Sequence, residues 1–385
     1  MHQPLHRSTV IVLAVLYTSA SLLAGGQAIA TKAAPADLVK AVQEKVAPDR
    51  RLAVFEVTVE QKEGVVEVSG RVDRASSRDA VLKALREGGY PRVTDRLEVL
   101  PDPGLGERQY AVVTVSVATM KTKPSHTSEL GNQLIMGMPV KVLKRDGGWY
   151  FVQSMDDLYL GYMEPEHLAL MTEAELDAFA AASRVIVTVP FAMVREDQTR
   201  DAQPVCDLVL GNILLARRAG TDGYRAVRLP DGREGFVDSG SVMDFAEWKR
   251  SRRPTPENIE KTARLFMGVP YLWGGTSAKG FDCSGYTKTV FRANGVELQR
   301  DADQQSAQGA TVPLEDDLAQ LRKGDLVFFG PRPGVTRVTH VGIYLGDKLF
   351  IHCAGKVKLN SFDPASPLYS ESLRARLVSA RRLTT

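Results

Sequence analysis

One thiol and two imidazoles stand out in the last third of this 385-residue sequence: Cys283, His340 and His352. A thiol becomes a nucleophile when a base takes its proton, and the base works best when a third group holds its ring. These residues supply the three types in that order, so their surroundings must decide. Cys283 follows the glycine-rich "VPYLWGGTSAKGFD" and opens "CSGYTKTVFRANG", whose apolar spacing is that of a helix ending at Gly295. A cysteine at a helix N-terminus meets the positive end of the macrodipole and free backbone N–H groups, which favour a thiolate and can hold an oxyanion. A cysteine kept for packing would rather sit mid-element among apolar neighbours. His340 lies in "VTHVGIYLG" and His352 in "LFIHCAG", after the turn "GDK". Both segments alternate as half-buried strands, and antiparallel neighbours of this kind can put both imidazoles on one face. Cys353 then points to the opposite face, where a core thiol is expected. Zinc would want ligands paired at short spacing, and the sequence offers none. No metal or organic cofactor is expected.

The elements that position these groups belong to a modular, exported chain. At about 150 residues per domain the length suggests two or three domains, and the hydrophobic and charged fractions are those of a globular protein. The net charge of +3 is small and no basic stripe is interleaved with aromatics, so nucleic acid is not an expected partner. "MHQPLHRSTVIVLAVLYTSASLLAGGQAIATK" places Arg7 before an apolar run, Val10 to Tyr17, and ends in Ala28-Ile29-Ala30. That order predicts a signal peptide over residues 1–30, leaving no transmembrane span and a periplasmic or secreted protein. Only Cys206, Cys283 and Cys353 are present, an odd count that leaves at least one thiol without a partner in the chain.

Residues 31–104 read as a small α+β module. Leu38, Val39, Val42 and Val46 have helical spacing; "VFEVTVE" and "VVEVSGRV" alternate as strands around the turn "QKEG". Ser76 or Ser77 is expected to cap the helix "RDAVLKALRE", and "VTDRLEVL" supplies a last strand. Next comes an internal repeat: "VTVSVA" at 113–118 returns as "VTVPFA" at 187–192, and Gly137 and Gly161 map by the same shift onto Gly211 and Gly235. Two copies of one strand-rich unit are expected, over 105–182 and 183–250. "KRSRRPTPEN" reads as a linker, and the last domain occupies 251–385, opening with a helix from Pro256 to Phe266.

Several motifs carry family resemblances. "PYLWGG", "GFDCSG", "LQRDADQQ", "KGDLVFFG", "THVGIYLG" and "FIHCAGKVKLNS" fall in the order seen in NlpC/P60 cysteine peptidases. That resemblance implies a papain-like α+β fold and cleavage of cell-wall peptides, with Cys283 as nucleophile, His340 as general base and His352 orienting it. Tyr271 matches a tyrosine that lines the site and assists the oxyanion hole. "GMPVKVLKRDGGWYFVQSMDDLYLGYM" resembles bacterial SH3-like (SH3b) barrels, which its repeat matches more loosely. The helix–strand–strand–helix–strand order of the first module resembles the BON domain, implying an envelope contact or a spacer. Two SH3b units before an NlpC/P60 domain resemble the γ-D-glutamyl-L-diamino acid endopeptidases, in which the first unit closes the groove around a free N-terminal L-alanine. On that match "KPSHTSELGNQ" points to Glu129 and "DDLYLGY" to Tyr159, although Leu158 and Tyr162 replace the group's glycine and tryptophan. Asp282, Ser284 and Asp301 complete the substrate-binding set, and the carboxylates of Glu129, Asp282 or Asp301 would pair an ammonium.

The expected fold class is therefore multidomain α+β: a papain-like NlpC/P60 domain preceded by two SH3-like barrels and a BON-like module. The expected function is hydrolysis of the γ-D-Glu–diamino acid bond of peptidoglycan stem peptides. The alternatives are a cell-wall-binding protein with a degenerate catalytic fold, and an amidase or acyltransferase on the same fold.

Overall fold

In the computed structural model, residues 32–219, 223–315 and 317–383 are described. The expected signal peptide, residues 1–30, lies outside them. Among the described residues no helix is long and apolar enough to cross a membrane.

Alternation builds the first unit. Strand Phe55–Lys62 pairs antiparallel with Val65–Val72, which pairs in parallel with Val93–Val99 across the helix Ala75–Glu87. Val66, Val68 and Val72 thereby share one face, fully enclosed under Val81 and Leu85 of that helix and Val39 of the helix Pro35–Val46. The serine caps expected for the second helix are not used. The helix starts at Ala75 after Arg74, and Ser77 is buried inside its first turn.

Two seven-stranded sheets follow, one from Tyr110 to Met171 and one from Arg184 to Asp244. Taken in chain order, the strands of both are arranged identically across the sheet, so the sequence repeat is a repeat of topology. Gly137 and Gly211 hold the same left-handed turn, φ +87° and +92°. Each turn presses on an isoleucine of the other copy: a Cβ at Gly137 would lie 2.6 Å from Ile213, and one at Gly211 2.9 Å from Ile135. The expected linker after the second sheet begins later than its composition suggests. A helix runs over Phe245–Ser251, capped by Asp244, and Arg252 stacks on Trp248 with its guanidinium 4.1 Å from the ring centroid.

The last domain is a six-stranded antiparallel sheet in the order Ala310–Val312, Leu377–Arg382, Leu326–Phe329, His340–Gly346, Leu349–Ala354, Lys356–Ser361. The helix Cys283–Ala293 lies across its centre, burying Tyr286, Val290 and Phe291 against Val341, Ile343 and Ile351. The same helix carries the contact with the first barrel. Lys288 Nζ meets Asp157 Oδ2 at 3.1 Å with side chains 7% and 2% exposed, and Arg292 meets Asp156 at 3.0 Å. Removing one partner of an enclosed ion pair costs far more than removing both, because the survivor stays buried and unpaired. Lys288→Met should destabilise the protein by about 3 kcal/mol, and adding Asp157→Asn should recover part of the loss; urea unfolding of the three proteins measures it.

Candidate active site

Asp282 starts the Cys283 helix. Its Oδ1 accepts the Gly285 N–H at 2.7 Å and its Oδ2 the Gly274 N–H at 3.0 Å, which ties the helix N-terminus to the glycine-rich loop before it. Arg300, 1% exposed, closes on the same carboxylate at 2.6 Å and 3.2 Å. Its remaining donors reach Ser284 Oγ at 3.1 Å and, in the first barrel, Asn132 Oδ1 at 2.8 Å. Cys283, the first residue of the helix, is almost wholly buried on this platform. The backbone N–H groups of Val341 and Ser284 face its sulfur.

The helix terminus alone predicts a stabilised thiolate, and that expectation is not met. Burial, with the Asp282 charge beside it, pushes the Cys283 thiol up to about 12, against the opposing pull of Arg300 and the two N–H groups. A helix terminus contributes roughly 0.3–1 kcal/mol at an exposed site, too little to offset enclosure of an anion. At neutral pH Cys283 therefore rests as a neutral thiol.

Two imidazoles and an amide form a hydrogen-bonded chain beside it. Gly342 stands opposite His352 in the sheet, so His340, two residues back, lies on the same face. Its Nε2 is 2.7 Å from His352 Nδ1, with the rings edge to face, and His352 Nε2 is 2.9 Å from Asn360 Oδ1. A Cβ at Gly342 would sit 3.1 Å from His352 Cβ, so the glycine leaves room for the ring. Asn360 Nδ2 donates to Leu368 O at 3.0 Å, which fixes the amide with its oxygen toward His352. His352 therefore donates from Nε2 and accepts at Nδ1. His340 donates from Nε2 and keeps Nδ1 as its basic nitrogen. Burial holds both rings neutral: His340 well below the ordinary imidazole value, with His352 adding to the effect, and His352 at about 4. Cys353 points away and donates to Phe281 O at 3.2 Å in the core. All three cysteines are free thiols.

A cleft of about 510 Å³ opens over Cys283 and gathers the other candidates. Tyr271, Asp282, Ser284, Arg300 and Thr339 line it near the thiol; Glu129 and Tyr159 come from the first barrel, and Asp301 from the turn after Arg300. Tyr271 is anchored by its backbone N–H on Gly355 O at 2.9 Å. Tyr159 donates its hydroxyl to Asp301 Oδ2 at 3.2 Å, and burial with the Asp301 charge raises its pKa above the usual phenol range. Leu158, where the resemblance expects glycine, adopts φ +62°, so the loop keeps a glycine-like backbone at a cost of about 1 kcal/mol. Glu129 accepts from Trp273 Nε1 at 2.7 Å. Both oxygens of Asp282 are engaged within the protein, and Ser284 is buried on Arg300.

Comparison with known proteins gives the family of this domain. Residues 268–382 match the NlpC/P60 family and residues 120–168 the bacterial dipeptidyl-peptidase Sh3 domain. The chain carries an NlpC/P60 cysteine peptidase domain. Dipeptidyl-peptidase 6 of Lysinibacillus sphaericus is 29% identical over 277 residues, 70% of this chain and 97% of that protein. The γ-D-glutamyl-L-lysine dipeptidyl-peptidase of Bacillus subtilis is 40% identical over 134 residues, 35% of this chain and 42% of that one. The crystal structure of an NlpC/P60 family protein from Bacillus cereus shares the fold, with a TM-score of 0.62 at 24% identity over 72% of this chain and 100% of that one.

Four residues of the candidate site were not singled out by sequence reasoning. Asn360 had a signal, since it falls on the His352 face of the next hairpin strand. Arg300 and Trp273 lie inside motifs quoted for the family, but nothing local marks them as partners of Asp282 and Glu129. Arg51 of the N-terminal unit has no local signal.

Two outcomes follow from the base chain. A neutral His340–His352 pair is lost only on protonation, so peptide hydrolysis should stay level as pH falls from 7 to about 5 and disappear through about 4, well below the ordinary imidazole value near 6.5; a pH–rate profile tests this. Asn360→Ala, which releases the ring it orients, should lower kcat on the order of 10²-fold with KM little changed, measured by steady-state kinetics.

Proposed function

We propose that this protein is an envelope or secreted peptidase that hydrolyses the γ-D-glutamyl–diamino acid bond of peptidoglycan stem peptides, selecting those with a free N-terminal L-alanine. The observation that carries the reading is the lining of the cleft: beside Cys283 it gathers Glu129, Tyr159 and Asp301, acidic and phenolic groups suited to an ammonium. The names of the Bacillus subtilis and Lysinibacillus relatives favour the same bond and a dipeptide product.

In the mechanism His340 Nδ1 takes the proton of Cys283 as the sulfur attacks the γ-carbonyl carbon of D-glutamate. The oxyanion is received by the free N–H of Cys283 at the helix start, with the Tyr271 hydroxyl at the rim. His340 then gives its proton to the amine of the departing diamino acid, leaving an acyl-enzyme. Water, deprotonated by His340, releases the dipeptide and restores the thiol. His352 and Asn360 hold the imidazole in the tautomer that this requires.

Digests of L-Ala-γ-D-Glu-diaminopimelate and its N-acetylated form, read by mass spectrometry with wild type and Cys283→Ala, test the reading. Cleavage after D-Glu is expected for the wild type alone and faster for the free-amine peptide. Cleavage of neither peptide by the wild type would favour a wall-binding protein instead.

A further inference from the structure

The N-terminal unit lies outside both matched segments, yet it reaches the cleft. The turn between its first helix and first strand carries Arg51, whose backbone oxygen accepts the Leu160 N–H at 2.8 Å while Leu52 O accepts Gln153 Nε2 at 2.7 Å, both from the first barrel. The guanidinium enters the cleft wall. Nε donates to Asp49 at 2.9 Å, one terminal nitrogen to Asp301 at 2.8 Å and Asp303 at 2.9 Å, and the other to Asp49 and Asp303 at 2.8 Å. Its five N–H groups are thus shared among three carboxylates from two domains. Gln304 closes the ring by donating to Asp49 at 2.7 Å.

This contact sorts the acidic groups of the cleft. Four carboxylates line it: Glu129, Asp282, Asp301 and Asp303. Asp282 is held by Arg300, Asp303 by Arg51, and Asp301 by Arg51 at 2.8 Å with Arg300 at 3.8 Å behind it. Glu129 receives the neutral indole N–H of Trp273 and no ion pair among the described residues. An ammonium is drawn most strongly to the carboxylate whose charge has no cation beside it. We infer that Arg51 is a specificity-determining residue of the cleft: it neutralises Asp301 and Asp303 and leaves recognition of the substrate's ammonium to Glu129. The inference deepens the proposed free-amine selection and rests on it. It gives the N-terminal unit a part in substrate choice, which is to moderate the preference for a free amine over an acylated one.

Binding, measured apart from hydrolysis, tests it. In a Cys283→Ala background, calorimetry with L-Ala-γ-D-Glu and its N-acetylated form would compare Arg51 with Arg51→Gln and Arg51→Lys. Arg51→Gln removes the cation beside Asp303 and the nearer of the two beside Asp301 and should tighten the free-amine dipeptide roughly fivefold or more with little effect on the acetylated one, whereas Arg51→Lys should stay near the parent. Asp303→Asn, which leaves Arg51 shared between Asp49 and Asp301, should shift the free-amine affinity in the opposite direction, and it remains informative if Arg51→Gln unfolds the turn. An unchanged or reduced free-amine preference in Arg51→Gln, equal behaviour of the Lys and Gln variants, or an unaltered Asp303→Asn would each overturn the inference. Dipeptide binding that responds as expected in a protein whose Cys283 form cleaves nothing would sink the peptidase reading and leave the role of Arg51 standing.

Discussion

The Arg300–Asp282 pair is the contact on which the site is assembled. One carboxylate caps the helix that carries Cys283, holds the preceding loop through Gly274 and receives a guanidinium that is itself fully enclosed. That guanidinium also reaches Asn132, so the first barrel is fastened to the same point. A buried charge without its partner is penalised by several kcal/mol. The barrel, loop and helix are therefore held in one arrangement by the requirement that Arg300 remain satisfied.

The same enclosure sets the chemical state of the reacting groups. A thiol, two imidazoles and an amide share a poorly hydrated space in which every ionised form is disfavoured, and all rest uncharged. In the proposed reaction, charge appears only as substrate arrives and the proton moves from sulfur to His340, with the N–H groups of Val341 and Ser284 already aimed at the sulfur. In the proposed mechanism, such a site trades a reactive resting thiolate for one formed on demand.

What was legible in the sequence was what repeats or alternates. Period-two patterning placed His340 and His352 on one face, and the recurrence of the Gly137 turn at Gly211 disclosed two copies of one topology. The glycine-rich loop and the apolar spacing after Cys283 located its helix. Local capping chemistry was less dependable: Ser76 and Ser77 were overridden because packing starts that helix earlier, and the basic stretch after Trp248 extends a helix before it becomes a linker. Ionisation could not be read at all, since the burial that raises the Cys283 thiol comes from strands far along the chain. Arg51 was silent for the same reason, its partners Asp301 and Asp303 lying 250 and 252 positions away.

That separation bears on when the protein becomes active. Chains fold largely in the order in which they emerge, amino-terminal units first. Here the wall of the cleft begins at Arg51, Cys283 comes far later, and the His340–His352–Asn360 chain ends at Asn360, shortly before the last strand. A chain still being made lacks His340, His352 and Asn360, and its Cys283 has neither the imidazoles beside it nor the strand that buries it. Such a chain can fold its barrels early and remain chemically inert until almost its whole length has been delivered.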